Sequence, residues 1–167
     1  MSGRARTVVA ALTLSASALV SIALHEGYTD RAVQPLPGDV PTVGFGTTTR
    51  PDGSPVRLGD TTTPPQALAR ALADVQRFEG ALRQCVRVPL HQHEYDAYLS
   101  FAYNVGAGAF CASTMARRLN AGDYAGACAE FDRWTFFQGR DCRDPAHRCA
   151  GLVKRRADER ARCEGRA

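Results

Sequence analysis

The sequence predicts an α+β protein: a small β-containing N-terminal lobe, then a larger helical C-terminal lobe, with a cleft between them. Three observations carry this. Between His25 and Thr49 the chain is punctuated by Pro35, Pro37, Gly38, Pro41, Gly44 and Gly46, which forbids a long helix. From Gln66 onward apolar residues recur at helical spacing. No internal repeat or linker interrupts the 167 residues, a length that suits one domain with a short extension.

The elements follow in chain order. Arg4 and Arg6 precede an uncharged run from Thr7 to Leu24, the basic-then-apolar order that directs a segment to export. The run is diluted by Thr7, Thr13, Ser15, Ser17 and Ser21 and sits at the short limit of the ~20 strongly apolar residues a stable span needs. Three fates stay open: cleavage near Ala16-Ser17-Ala18, a stable span, or insertion followed by release uncleaved. Residues 1–24 are thus an N-terminal signal-anchor-like segment, and 25–167 are the folded domain. Val40 to Phe45 supplies a short strand, and Pro51-Asp52-Gly53-Ser54-Pro55 a turn. Thr63-Pro64-Pro65 starts a helix that runs to Cys85, with Leu68, Leu72, Val75, Phe78 and Leu82 as its apolar face. Glu94 to Asn104 is the next helix, with Tyr95, Tyr98, Leu99 and Ala102 on one face and Gly106 and Gly108 as its stop. Ser113 or Thr114 caps a short helix to Leu119, and Asp123 caps another reaching about Trp134. Phe136 to Cys149 reads as an irregular basic loop, and Ala150 to Cys163 as a last, arginine-rich helix with a solvated basic face.

The net charge is +4, from 21 Lys+Arg against 17 Asp+Glu, and Lys154 is the only lysine. That balance suits an anionic polymer such as nucleic acid or a bacterial wall. Cysteines at 85, 111, 128, 142, 149 and 163 form an even set without C-x-x-C spacing, which favours disulfides in an oxidising compartment over zinc. Of the possible pairings, a local Cys142–Cys149 loop is the one the spacing suggests. His91, His93 and Glu94 lack a further ligand, and no metal or cofactor is expected. Trp134, Phe136 and Phe137 are expected in the core.

The chemistry gathers around Glu26, which ends the apolar run in Leu24-His25-Glu26-Gly27-Tyr28. A carboxyl among apolar groups suits a general acid. Asp39 and Thr42 follow, then Gly44-Phe45-Gly46. Glycosidic cleavage usually takes two carboxyls, one protonating the leaving oxygen and one serving the attacking water. A hydroxyl such as Thr42 can hold that water, and a Gly-rich strand lets sugar rings approach the backbone.

Here the chain resembles the phage lysozymes, the glycoside hydrolase family 24 endolysins. The resemblance is carried by Glu26 with Thr42 to Thr48 (TVGFGTT), by Tyr95 to Phe110 (YDAYLSFAYNVGAGAF), and by Arg118-Leu119-Asn120, Gly122-Asp123-Tyr124, Arg133-Trp134 and Gly151 to Arg156 (GLVKRR). It implies a lysozyme-like fold and an inverting muramidase that cuts the β-1,4 bond from N-acetylmuramic acid to N-acetylglucosamine. It places the acid on Glu26 and the water-holding role on Thr42. The family's aspartate falls six residues before the threonine, where this chain has Leu36; either Asp39, three before, serves the same role, which is the favoured reading, or the second carboxylate is dispensable or elsewhere, with Asp30 as the other nearby candidate. The leader resembles a signal-anchor-release segment, implying transient inner-membrane association and then the periplasm of a Gram-negative host. The expected partner is peptidoglycan, met by a monomer, with no nucleic acid. A lytic transglycosylase and a non-catalytic wall-binding protein are the competing functions.

Overall fold

The computed structural model describes residues 5–34 and 38–166. Arg4 of the basic leader, and Leu36 with its flanking prolines, lie outside the described residues. The chain divides into two compact units: residues 16–77, and residues 78–167 together with the first 15.

In the unit of residues 16–77, helix α1, Ala16–Glu26, is the second half of the apolar leader, and Ala18 and Ile22 are its buried positions. The Leu24/His25 boundary therefore falls inside a helix. Gly27 ends it at φ 71°, its N–H bonded to the Ala23 carbonyl, a conformation that favours glycine. Strands β1, Thr29–Val33, and β2, Thr42–Gly44, pair antiparallel with an irregular register, and Ala32, Val43 and Val56 make their small core. Val40 to Phe45 does supply a strand, while β1 was hidden within the turn-rich composition.

Helix α2, Pro64–Cys85, starts at the Thr-Pro-Pro signal. Its buried face differs from expectation: Ala67, Ala71, Val75 and Leu82 are buried, while Leu68 and Leu72 are exposed. The cause is close packing. A Cβ on Gly44 would stand 2.7 Å from the Ala67 Cβ, so the strand rests against alanine and leucine turns outward.

The other unit is mostly helical. Helix α3, Gln92–Val105, is buried on nearly every side from Glu94 to Ala102. Helix α4, Ala107–Ala112, continues directly past Gly106, so that glycine is a corner rather than a stop. Helix α5, Thr114–Asn120, is capped by Ser113, and α6, Tyr124–Ala129, by Asp123. A 3-10 turn, Glu130–Arg133, finishes the segment expected to reach Trp134. The supposed irregular loop holds a hairpin, β3, Phe136–Phe137, with β4, Arg140–Asp141. Helix α7, Ala150–Cys163, packs on α3. Three disulfides pair all six cysteines: Cys85–Cys111, Cys128–Cys163 and Cys142–Cys149.

Two side-chain expectations are corrected. Arg155 and Arg156 are buried, not solvated; both pair with Glu159, which also accepts from Ser100 Oγ at 2.9 Å. Arg156 also donates to the Trp134 carbonyl at 3.1 Å and lies over the Phe101 ring. Burial opposes its charge, and Glu159 offsets that. Phe136 and Phe137 are 55% and 49% exposed rather than core, because a two-residue strand in an isolated hairpin has no layer to pack on. Trp134 is half-buried, edge-on to Phe101 at 4.9 Å.

The first half of the leader folds into this same unit. Thr7 exchanges two backbone hydrogen bonds with Leu90, each 2.8 Å. Val9 and Leu12 are buried. Arg6 forms a bidentate pair with the buried Glu94 and stacks 3.6 Å from the Tyr124 ring centroid. The Leu14 amide donates to Glu79 at 2.6 Å, and the Ser15 amide and hydroxyl both donate to Asp96. Glu79, Glu94 and Asp96 are each no more than 5% exposed.

Candidate active site

The last residue of α1 is Glu26, and Gly27 turns the chain away immediately after it. The half-buried side chain lies over the backbone of Gly46: a Cβ there would stand 3.0 Å from Glu26 Oε2. Gly46 has φ 77°. Both the left-handed backbone and the proximity of the carboxylate require glycine. The Gly44-Phe45-Gly46 turn is held by paired backbone bonds between Val43 and Thr47, of 3.0 and 3.1 Å. Phe45 meets Tyr28, two residues after Glu26, with ring centroids 5.4 Å apart. The structure thus brings Glu26 and the Gly-Phe-Gly turn together.

Thr42 opens β2, opposite Val33, and is half-buried. It sits in the strand that leads into the turn under Glu26. Asp39 is exposed, on the bend before that strand; its backbone carbonyl accepts from Gln34 Nε2 at 2.9 Å. Asp30, on β1, is also exposed, and its carbonyl accepts from the Thr62 amide. Neither carboxylate has a side-chain partner among the described residues, so each is available to a water or a substrate.

Beyond the turn, Thr47 is buried and donates its hydroxyl to Asp74 at 3.3 Å, and Asp74 pairs with Arg77 at 2.8 Å. Sequence reasoning named Gly46 and Thr47 only as part of the TVGFGTT stretch and did not single out Asp74. The Gly-x-Gly pattern was visible, but which glycine faces the acid is set by the tertiary fold. The His91 and His93 rings stack 5.3 Å apart, and Glu94 is taken by Arg6. Among the described residues no group of three or more His, Cys, Asp or Glu is placed to hold a metal ion. A carboxyl at a helix end, lying over glycine backbone, can protonate a leaving oxygen while a second group serves the water.

Comparison with known proteins places the chain among phage lysozymes. The phage lysozyme family model matches residues 23–159. The endolysin of Acyrthosiphon pisum secondary endosymbiont phage 1 is 37% identical over 148 residues, covering 89% of this chain and 95% of its own. The SAR-endolysin of Bacteriophage PS119 is 31% identical, covering 94% and 92%. Among solved structures, the endolysin from Escherichia coli O157:H7 phage FAHEc1 superposes with a TM-score of 0.80 at 34% identity, covering 92% of this chain and 94% of that one.

Proposed function

Since the chain belongs to the phage lysozyme family, we propose that it is a peptidoglycan-cleaving muramidase in which Glu26 is the general acid, Thr42 holds the attacking water, and Asp39 is the second carboxylate. The observation that carries this is Glu26 set over Gly46, in the turn that β2 and Thr42 lead into. The acid protonates the glycosidic oxygen between N-acetylmuramic acid and N-acetylglucosamine. Water, held by the Thr42 hydroxyl and deprotonated by Asp39, attacks the opposite face of the anomeric carbon, inverting its configuration.

Lysis of outer-membrane-permeabilised Gram-negative cells tests it. Glu26→Gln should lower the rate of turbidity loss by at least ~100-fold. Lysis at the wild-type rate would remove Glu26 from the acid role. Mass spectrometry of the digest should show reducing ends; anhydromuropeptides would mean transglycosylation instead.

The leader to Leu24 acts as a signal anchor, released uncleaved, ahead of a catalytic domain from His25. The relative named a SAR-endolysin supports export through the inner membrane. The hydrogen bonds from Arg6, Leu14 and Ser15 to three buried carboxylates support retention, since cleavage near Ala18 would remove those donors and leave Glu94 with the His91 amide, Asp96 with Gln92 and Glu79 with Arg83. Among the described residues no helix is long and apolar enough to cross a membrane. N-terminal sequencing of the periplasmic protein should find the leader intact, and sedimentation should give a monomer near the chain mass of 18.0 kDa. A mature start after Ala18 would sink the uncleaved reading.

A further inference from the structure

The unit of residues 16–77 carries a cavity of 470 Å³ lined by Arg50, Arg70, Arg77, Asp74, Thr47 and Thr49. Three guanidinium groups meet a single carboxylate there. Asp74 is already committed, pairing with Arg77 and accepting from Thr47. Arg50 spends Nε and Nη2 on Asp60, at 2.7 and 2.6 Å. Arg70 is half-buried and makes no hydrogen bond or ion pair among the described residues. Arg70 and Arg77 lie two turns apart on α2 and so share one face. Ala69 and Ala73 line the same wall and leave room beside them. The cavity also begins one residue from Gly46: its wall includes Thr47, which follows the glycine over which Glu26 lies.

A concave surface holding an uncompensated guanidinium is built for an oxyanion, because the planar fork matches a carboxylate in two parallel bonds. We propose that this cavity is a subsite for a carboxylate of the peptide stems carried by the wall glycan, with Arg70 as the contacting group and Arg77 and Arg50 as supporting charge. The inference rests on the muramidase reading. A glycan cutter meets a stem at muramic acid residues, and free stem carboxylates are anions that this polymer presents beside the bond to be cut.

Initial rates on intact sacculi and on glycan stripped of its peptides by an amidase test it. Arg70→Gln should raise the apparent KM on sacculi about fivefold with kcat unchanged, the loss of one charge-assisted contact at a part-exposed site, and leave the stripped glycan unaffected. Arg70→Lys should keep most of the wild-type KM on sacculi, and Arg77→Gln should shift it in the same direction as Arg70→Gln by less. Equal changes on both substrates, or none on either, overturn the proposal. A direct readout separates it from the muramidase reading. A muramyl tetrapeptide with free carboxylates should perturb the Arg70 Nε resonance of the wild type, and its amidated form should not. Absence of perturbation overturns the subsite whether or not the protein cuts glycan, while failure of the wild type to release reducing ends overturns the muramidase reading alone. Inorganic phosphate is the third arm: binding tighter than the muramyl peptide would assign the cavity to phosphate and overturn the stem assignment.

Discussion

Gly46 is the residue on which the acid's placement turns. Its φ of 77° costs a side-chain-bearing residue about 1 kcal/mol, and an added Cβ would meet Glu26 Oε2 at 3.0 Å. Gly46→Ala should therefore fold, with a small drop in melting temperature, yet lose lytic rate by at least ~10-fold because the carboxylate is displaced. Wild-type lysis by that variant would show that the acid does not depend on the glycine beneath it. The second carboxylate is decided the same way. Asp39→Asn should cost ~100-fold or more in turnover, the usual contribution of a positioned base, while Asp30→Asn should cost little. Reversal of that order would move the role to β1. Much of this site could be read from the sequence: Glu26, Thr42 and the Gly-Phe-Gly turn stand in one short stretch. Arg70 could not, since an arginine on a helix says nothing of which neighbours leave it unpaired.

At the level of elements, the arginine-rich run from Ala150 to Cys163 located α7, and apolar periodicity located α2 and α3, where the pattern repeats enough times to be distinctive. It failed for β1, α4 and the β3–β4 hairpin, which are only two to six residues long. It also failed for the face of α2, because Gly44 against Ala67 admits only a small side chain. The leader is the most instructive case. Its composition predicts an export segment and hides a second role, that of a strap whose amides and arginine bind Glu79, Glu94 and Asp96. The signal was present as acidic residues inside an otherwise apolar helix, α3, but their partners lie some 80 positions away, at separations of 81 and 88 for Asp96 and Glu94. A buried acceptor that loses its donors costs ~1–3 kcal/mol, more when charged. A chain begun at Ala16 should consequently fail to give a cooperative thermal transition at 37 °C, as followed by circular dichroism. A melt within a few degrees of the full chain would show the strap to be dispensable. Within α7, Glu159→Ala should cost ~3–5 kcal/mol, since it leaves Arg155 and Arg156 buried without their anion.

For the whole molecule, the acid limit and the cross-links set the stability. Arg50 holds Asp60 down at about 2, and Asp123, Asp141 and Glu164 are lowered by their own hydrogen bonds, Asp123 chiefly through the Gly126 amide. Groups depressed in the folded state bind protons less readily there than in the unfolded chain. Their contribution is full above the ordinary carboxylate range and is lost as pH falls through it toward the folded values. These groups are exposed, so the effect is modest: the melting temperature should be flat from about pH 7 to 5 and fall below about pH 4. A rise on acidification would contradict the pairing. The disulfides carry the larger share. All three lie within the unit that also receives the first half of the leader, closing separations of 26, 35 and 7 residues. Constraint of the unfolded chain grows with loop length, to about 3–4 kcal/mol for the two long loops and about 2 for the short one. Cys142 and Cys149 replaced together by serine should thus be the mildest loss, confined to the segment after the exposed Phe136–Phe137 strand. Loss of Cys128–Cys163, which ties α6 to the end of α7, should be the most severe. Denaturant midpoints of the three double variants give the ranking directly, and a short-loop variant less stable than both others would show that native packing around Cys142, rather than loop entropy, governs the order.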